Sequence, residues 1–215
     1  MSVKVKICGV TTAENALLAV ESGADFLGLN FCAASPRFVD AGRAREIAAA
    51  VRAGGFRGEL VGVFVDRPAA EVAAIAAQVG LDRLQFSGDE APETIAPFAA
   101  RAIKAFRTGG DPGEDALAAY EDCWAVLFDA PHRALYGGTG ESWAYAAVAP
   151  LARSGRRVFL AGGLGPDNVR QAIAACRPYA IDVCSRVESA PGCKDPELLR
   201  RLFEEVRHGE AGSAS

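Results

Sequence analysis

Eight short apolar segments recur along the chain, and an Ala-rich segment with helical periodicity follows most of them. The apolar segments are 3–8, 26–31, 60–65, 83–86, 102–106, 125–129, 158–161 and 180–184. Short apolar runs are typical of buried strands, and their regular alternation with helices predicts a parallel sheet. Eight such units within 215 residues predict a single α/β domain, a (β/α)8 TIM barrel near its lower size limit. An open doubly wound sheet is the alternative, disfavoured because no Gly-x-Gly-x-x-Gly motif follows the first segment.

The helical periodicity is strongest in six stretches and weaker in two. The strong ones are Ala13–Ser22, Ala41–Ala53, Ala69–Val79, Trp143–Arg153, Asn168–Cys176 and Pro196–Val206, and the weak ones are 92–99 and 113–120. No linker, charge block or low-complexity stretch divides the chain. We therefore expect one barrel domain over residues 1–207, followed by a flexible polar tail at 208–215.

Charge and composition exclude several classes of function. The net charge is −4 and the pI about 5.3, which argues against a nucleic-acid partner. The sequence has no apolar run long enough to span a membrane and no signal-peptide pattern at its N-terminus, so a cytoplasmic protein is expected. The six cysteines form no Cys-x-x-Cys pair and are expected to be reduced thiols. The two histidines, His132 and His208, are too few and too far apart for a zinc site built on histidine.

In such a barrel the chemistry lies where strands run into the following loops. Alternation along the first strand places Lys4, Lys6 and Cys8 toward the barrel axis, with Cys8 at its mouth. The same reasoning places Asp129 at the mouth of strand six. A thiol and a carboxyl group can serve as base and acid, although by residue type alone a strand-end Cys is more often core filler and a strand-end Asp a helix cap.

Three glycine-rich turns stand out, at 137–140, at 162–165 and at Gly192. Glycine lets backbone N–H groups approach an anion closely, and barrel enzymes often hold phosphate between the loops that follow strands seven and eight. A phosphate site is therefore the functional interpretation, and tight turns without a ligand are the structural one.

Motifs along nearly the whole chain resemble the phosphoribosylanthranilate isomerase family of tryptophan biosynthesis. They are KICGVTTAENA at 6–16, GADFLGLNF at 23–31, SPRFV at 35–39, VGVFVD at 61–66, QFSGDE at 85–90, IKAF at 103–106, LFDA at 127–130, GGTG at 137–140, LAGGLGPDNV at 160–169 and DVCSRVESAPGCKDP at 182–196. The resemblance implies an Amadori rearrangement of N-(5-phosphoribosyl)anthranilate to 1-(2-carboxyphenylamino)-1-deoxyribulose 5-phosphate. It implies no cofactor and no metal, and a small-molecule phosphosugar as substrate.

By the same resemblance, each predicted site residue has a role. Cys8 is the general base and Asp129 the general acid; Arg37 meets the anthranilate carboxylate and Asp182 orients sugar hydroxyls; and Gly162, Gly163, Ser185 and Arg186 hold the phosphate. The remaining cysteines, Cys32, Cys123, Cys176, Cys184 and Cys193, are expected to be dispensable for the chemistry. A monomer is expected, with a homodimer as the alternative.

Three residues depart from the family pattern. Ser87 stands where His is usual, Glu141 where Lys is common and Arg186 where a glycine usually lies against the phosphate. We expect the Arg186 side chain to fold over the phosphate and replace backbone contacts with a charge-assisted one.

Two alternatives remain open at this stage. One is a lysine-dependent phosphosugar enzyme that uses Lys6 or Lys104. The other is a diverged phosphosugar-binding barrel paralogue with a changed ligand or no turnover.

Overall fold

Eight parallel strands close into a barrel in the order of the sequence. The computed structural model describes residues 2–107, 113–129 and 148–212. The strands are β1 (Lys4–Cys8), β2 (Phe26–Asn30), β3 (Glu59–Phe64), β4 (Arg83–Phe86), β5 (Ala102–Arg107), β6 (Ala125–Asp129), β7 (Val158–Ala161) and β8 (Ala180–Val183). Because β1 pairs with both β2 and β8, the sheet is closed. The predicted barrel is confirmed, and the open sheet is wrong.

Helices connect the strands and pack around them. They are α1 (Ala13–Ser22), α2 (Ala41–Ala53), α3 (Ala69–Val79), α4 (Pro92–Ile95) with a 3-10 turn at Ala96–Arg101, α5 (Glu114–Ala118), α6 (148–153), α7 (Val169–Cys176) and α8 (Pro196–Gly212). Side-chain caps explain where the first two begin: Thr12 Oγ1 accepts from Asn15 N, and Asp40 Oδ1 accepts from Arg43 N.

Strand alternation separates the barrel interior from the layer under the helices, as predicted. Ala125 and Leu127 of β6 lie in the interior cluster, together with Phe26 and Phe159. Val126, between them in sequence, belongs to the larger cluster between strands and helices. Inward positions at the ends of the strands therefore point into the mouth of the barrel.

Helix α8 continues past residue 207 to Gly212. The expected division into a barrel domain and a flexible tail from residue 208 stays a prediction. The predicted GGTG turn at 137–140, the departure at Glu141, His132 and the predicted start of helix six at 143–147 lie outside the described residues. Within the described ranges, no helix combines the length and the apolar character needed to cross a membrane.

Candidate active site

A cavity of about 450 Å³ opens at the carboxyl ends of the barrel strands. Most of the residues singled out from the sequence line it: Cys8, Arg37, Asp129, Gly162, Gly163, Asp182 and Ser185. Arg186 is not among the described residues that line this cavity. The polar and reactive side chains that line the cavity come from strands and loops on all sides of the barrel. Closure of the sheet therefore brings them together.

Cys8 occupies the last position of β1, where two neighbouring glycines make room for it. On β2, Gly28 pairs with Cys8, and a Cβ there would lie 2.7 Å from the Cys8 sulfur. The next residue, Gly9, has φ +71°, and a Cβ on it would lie 2.4 Å from Cδ of Arg37. The glycines of the KICG and GADFLGLNF motifs therefore keep space for the thiol and for the arginine beside it.

A buried ion pair forms the floor beneath Cys8. Lys6 is fully buried, and its Nζ donates to Asp182 Oδ2 at 2.7 Å and to Gln85 Oε1 at 2.9 Å. The amide of Gln85 in turn donates to Ser87 Oγ at 3.0 Å. Burial would lower the pKa of Lys6, but the attraction of Asp182 outweighs it and raises that pKa. Lys6 is therefore a fixed ammonium ion at neutral pH.

Cys8 is activated by its neighbours. The pKa of Cys8 falls to about 7, chiefly because of the neighbouring Cys184 thiol; burial opposes the shift, and the Lys6 charge assists it. The Cys8 sulfur and burial together raise the pKa of Cys184. Cys184 Sγ donates to Glu188 Oε1 at 4.0 Å, and the same oxygen accepts from Arg37 and Lys194. A substantial fraction of Cys8 is thus thiolate at neutral pH.

Arg37 is held at the rim of the cavity by a buried carboxylate. Its Nε lies 3.0 Å from both oxygens of Glu188, and its Nη2 lies 2.6 Å from Oε2. Nη1 makes no hydrogen bond among the described residues. The guanidinium thus has one edge bound and another available for a planar carboxylate.

The loops after β7 and β8 form another part of the rim. Gly162 and Gly163 have φ values of +96° and +61°, conformations that glycine adopts readily. Asn168 fixes this loop, because its Oδ1 accepts from Gly165 N and its Nδ2 donates to Gly163 O. Ser185 begins a short 3-10 turn over Ser185–Val187 and lines the cavity together with the two glycines. Backbone groups therefore dominate this side of the cavity.

The sequence predicts that the Arg186 side chain folds over a phosphate. In this structure it forms an ion pair on the loop that follows β7. Its Nη2 donates to Asp167 Oδ2 at 3.0 Å, and its Cβ packs against Gly165. Asp167 also accepts from Arg201 of α8. Arg186 is not among the non-glycine residues with positive φ, so the arginine introduces no such backbone strain. The contact between Arg186 and a phosphate stays a prediction.

Asp129 closes β6 on a different side of the cavity from Cys8. It is exposed, and its neighbours in the sheet are Arg107 on β5 and Ala161 on β7. Arg107 also lines the cavity, so a cation stands beside the carboxyl group.

Sequence reasoning missed four residues of this site. Gln85, Cys184, Glu188 and Lys194 are all buried or half-buried around the predicted residues. The motif VES-x-PG-x-KD contains two of them and was the available signal. Cys184 follows Asp182 by two residues, a spacing that favours one face of a strand, yet Cys184 was expected to be dispensable.

Comparisons with known proteins agree with this geometry. The family model described as N-(5'phosphoribosyl)anthranilate (PRA) isomerase matches residues 5–205. An N-(5'-phosphoribosyl)anthranilate isomerase of Halorhodospira halophila is 44% identical over 212 residues, which cover 98% of this chain and 99% of the relative. The crystal structure of phosphoribosyl anthranilate isomerase from Thermotoga maritima superposes with a TM-score of 0.84 at 35% identity, covering 96% of this chain and 99% of that one.

A further solved structure carries a ligand. It is a phosphoribosyl anthranilate isomerase in complex with reduced 1-(o-carboxyphenylamino)-1-deoxyribulose 5-phosphate, with a TM-score of 0.83 and 33% identity over 96% of this chain and 99% of that one. The family model, the sequence relative and the solved structures agree with each other and with the predicted resemblance. The chain belongs to the N-(5'-phosphoribosyl)anthranilate isomerase family, whose isomerases act in tryptophan biosynthesis on a (β/α)8 barrel.

Proposed function

We propose that this chain rearranges N-(5-phosphoribosyl)anthranilate to 1-(2-carboxyphenylamino)-1-deoxyribulose 5-phosphate with Cys8 as general base and Asp129 as general acid. The observation that carries the proposal is their position on different strands of one cavity, with Arg37 at its rim. Asp129 protonates the ring oxygen as the furanose opens to a Schiff base. Cys8 then removes the proton from C2, and the enol form of the aminoketose results.

The shifted pKa of Cys8 supports its role as the base. The lowered pKa of Cys8 makes more of this thiol ionised at neutral pH than of an ordinary thiol, which is mostly protonated. Lys6 supplies positive charge beneath the sulfur and is itself neutralised by Asp182. The Cys8 thiolate is thus stabilised by a lysine that is already paired with Asp182.

The remaining predicted residues bind the substrate in this proposal. Arg37 offers its Nη1 edge to the anthranilate carboxylate. The Oδ1 atom of Asp182 is buried without a hydrogen-bond partner among the described residues, so a sugar hydroxyl at the cavity floor would give it a donor. The backbone at Gly162, Gly163 and Ser185 receives the phosphate, with Arg186 as a further cation nearby.

The contacts of the two candidate lysines argue against the lysine-dependent alternative. Lys6 is bonded to Asp182 and Gln85 and stays protonated, which removes its nucleophilic lone pair. Lys104 is buried against Glu90 and the carbonyl of Gly88, away from the cavity lining. A Schiff base on either lysine would require breaking a buried ion pair.

Turnover of the aminoaldose tests the proposal directly. Wild-type protein should quench the anthranilate fluorescence of N-(5-phosphoribosyl)anthranilate as it is consumed. Cys8→Ala and Asp129→Asn should each lower kcat by at least about 100-fold, the usual scale for a positioned proton-transfer group. Cys123→Ala, a buried thiol outside the cavity, is the control.

Three results would contradict parts of this proposal. Near-wild-type kcat in either variant would remove that residue from the acid–base pair. Binding of the substrate without turnover by wild-type protein would favour the diverged phosphosugar-binding paralogue. Trapping of a sugar phosphate on the protein by borohydride would favour lysine chemistry. The monomeric state, the cytoplasmic location, the absence of a cofactor and the division at residue 207 stay predictions.

A further inference from the structure

A short antiparallel ribbon follows β8 and contacts Arg37 and the end of β1. It consists of β9 (Glu188–Ala190) and β10 (Cys193–Lys194), and it places Lys194 opposite Glu188. Helix α1 anchors it, because Asn15 Nδ2 donates to Gly192 O while Lys194 N donates to Asn15 Oδ1. The ribbon is therefore fixed at its turn and at its end.

Glu188 carries a buried carboxylate that two cations share. Its side chain is 3% exposed, and it accepts from Arg37 and, at 2.8 Å, from Lys194 Nζ. Burial would raise the pKa of Glu188, but the hydrogen bonds from Arg37 and Lys194 outweigh burial and lower it. Glu188 is therefore ionised and cannot leave either cation without exposing a buried charge.

Lys194 connects this carboxylate to the strand that carries Cys8. Its side chain is fully buried, and Nζ donates to Cys8 O at 2.6 Å and to Cys184 O at 3.3 Å, besides Glu188. An ammonium group has three donors, and all three are used. The ends of β1 and β8 are thereby tied to Glu188.

We propose that Glu188 is a positioning residue that sets two substrate-handling groups at once: directly, the guanidinium of Arg37, and through Lys194, the end of β1 that carries Cys8. This inference rests on the proposed function, since it takes Arg37 as the carboxylate-binding residue. The physical reason is that a free arginine loses conformational freedom when it binds a carboxylate, whereas Glu188 has already oriented this one.

Glu188→Gln tests the proposal, because it removes the charge and nearly preserves the shape. The amide nitrogen of the new side chain would face donors of Arg37 or Lys194, so it cannot hold both. The readout is the carboxylate preference: the Kd of a reduced product analogue that lacks the o-carboxyl group, divided by the Kd of reduced 1-(o-carboxyphenylamino)-1-deoxyribulose 5-phosphate. We expect this preference to fall by about tenfold, the scale of one lost charge-assisted contact.

Glu59→Gln is a matched control at the other end of the barrel. Glu59 also holds an arginine by two bonds, from Arg83 Nε at 2.9 Å and Nη2 at 2.8 Å, but it does not line the cavity. The carboxylate preference of the Glu59→Gln variant should equal that of wild type. A loss of general stability alone would affect both analogues alike, so the ratio separates positioning from folding.

Arg37→Met separates the failure of this inference from failure of the proposed function. If Arg37→Met keeps the carboxylate preference, the role of Arg37 in the proposed function is wrong. If Arg37→Met abolishes the preference while Glu188→Gln leaves it unchanged or larger, only the positioning role of Glu188 is overturned. Should the glutamine variant not fold, Glu188→Asp decides: it keeps the charge but is too short to hold both cations, and an unchanged preference there also overturns the inference.

Discussion

Cys8 and Cys184 lie at the adjoining ends of β1 and β8, and the neighbouring Cys184 thiol is the chief cause of the lowered pKa of Cys8. The register of these strands pairs Ile7 with Val183, and the residue that follows each of them is a cysteine. Both sulfurs line the cavity. A thiol pair of this kind shares one proton, and the surrounding charges determine which sulfur gives it up.

Loss of the Cys184 thiol should shift the pH dependence of activity. Wild-type kcat/KM should rise with pH through about 7, because the base is the thiolate of Cys8 and its pKa lies there. Cys184→Ala removes the neighbouring thiol and should move this midpoint up toward the ordinary thiol pKa of about 8.5. At pH 7 this change should lower kcat/KM roughly tenfold. Cys184→Ser keeps a donor and should stay near wild type.

Alkylation of Cys8 by iodoacetamide, followed by mass spectrometry across pH, measures the same midpoint without catalysis. Cys176→Ala serves as the control, because burial raises the pKa of Cys176 to about 12 and that thiol lies outside the cavity. Identical alkylation profiles against pH for wild type and Cys184→Ala would show that the Cys184 thiol does not set the pKa of Cys8.

Gly9 should be needed for space as well as for backbone conformation. Gly9 and Gly55 both have positive φ, but only at Gly9 would a Cβ meet neighbours, the nearest being Arg37 Cδ. Gly55→Ala should cost about 1–2 kcal/mol of unfolding free energy and leave KM unchanged. Gly9→Ala should cost more and also raise KM, since Arg37 must move. Equal KM values in both variants, measured with unfolding in urea, would contradict this.

The ion pair in the barrel floor should contribute far more than its neighbour on the same strand. Lys6→Met leaves Asp182 as a buried charge without its partner and should cost about 3–5 kcal/mol of unfolding free energy. Lys4→Met removes an ion pair with Asp25 whose lysine side chain is 41% exposed, and should cost at most about 1 kcal/mol. Denaturant unfolding measures the free energy lost in each variant. Similar losses would show that the buried ion pair contributes no more than the exposed one.

Arg186 should exchange Asp167 for the substrate phosphate. Asp167 is 62% exposed, so its ion pair with Arg186 contributes at most about 1 kcal/mol and a phosphate can compete for the guanidinium. Arg186→Ala should raise KM several-fold, leave kcat within about threefold and weaken the salt dependence of KM. Arg201→Ala removes the other partner of Asp167 and is the control. An unchanged KM in Arg186→Ala would leave phosphate binding to the backbone of the two loops.

The sequence by itself determined the barrel and the direction of its strand-end residues. Ala125–Asp129 and Val158–Ala161 begin and end where the apolar runs predict, and α1 to α3 match their periodic stretches. These features are local: hydrophobic periodicity and capping act over a few residues, so they can be read without knowing what lies across the molecule. The family motifs added the expected roles of Cys8 and Asp129 in the same way.

Only the tertiary structure decided which charged and thiol groups meet. Lys6 and Asp182 are 176 residues apart in the chain, and Arg37 and Glu188 are 151 apart. Their contacts depend on the register of β1 against β8 and on the ribbon that follows β8. The same register makes Cys184 the partner of Cys8, although the sequence indicated an ordinary thiol. Burial raises the energetic importance of each such contact, and burial is a property of the closed barrel rather than of any segment.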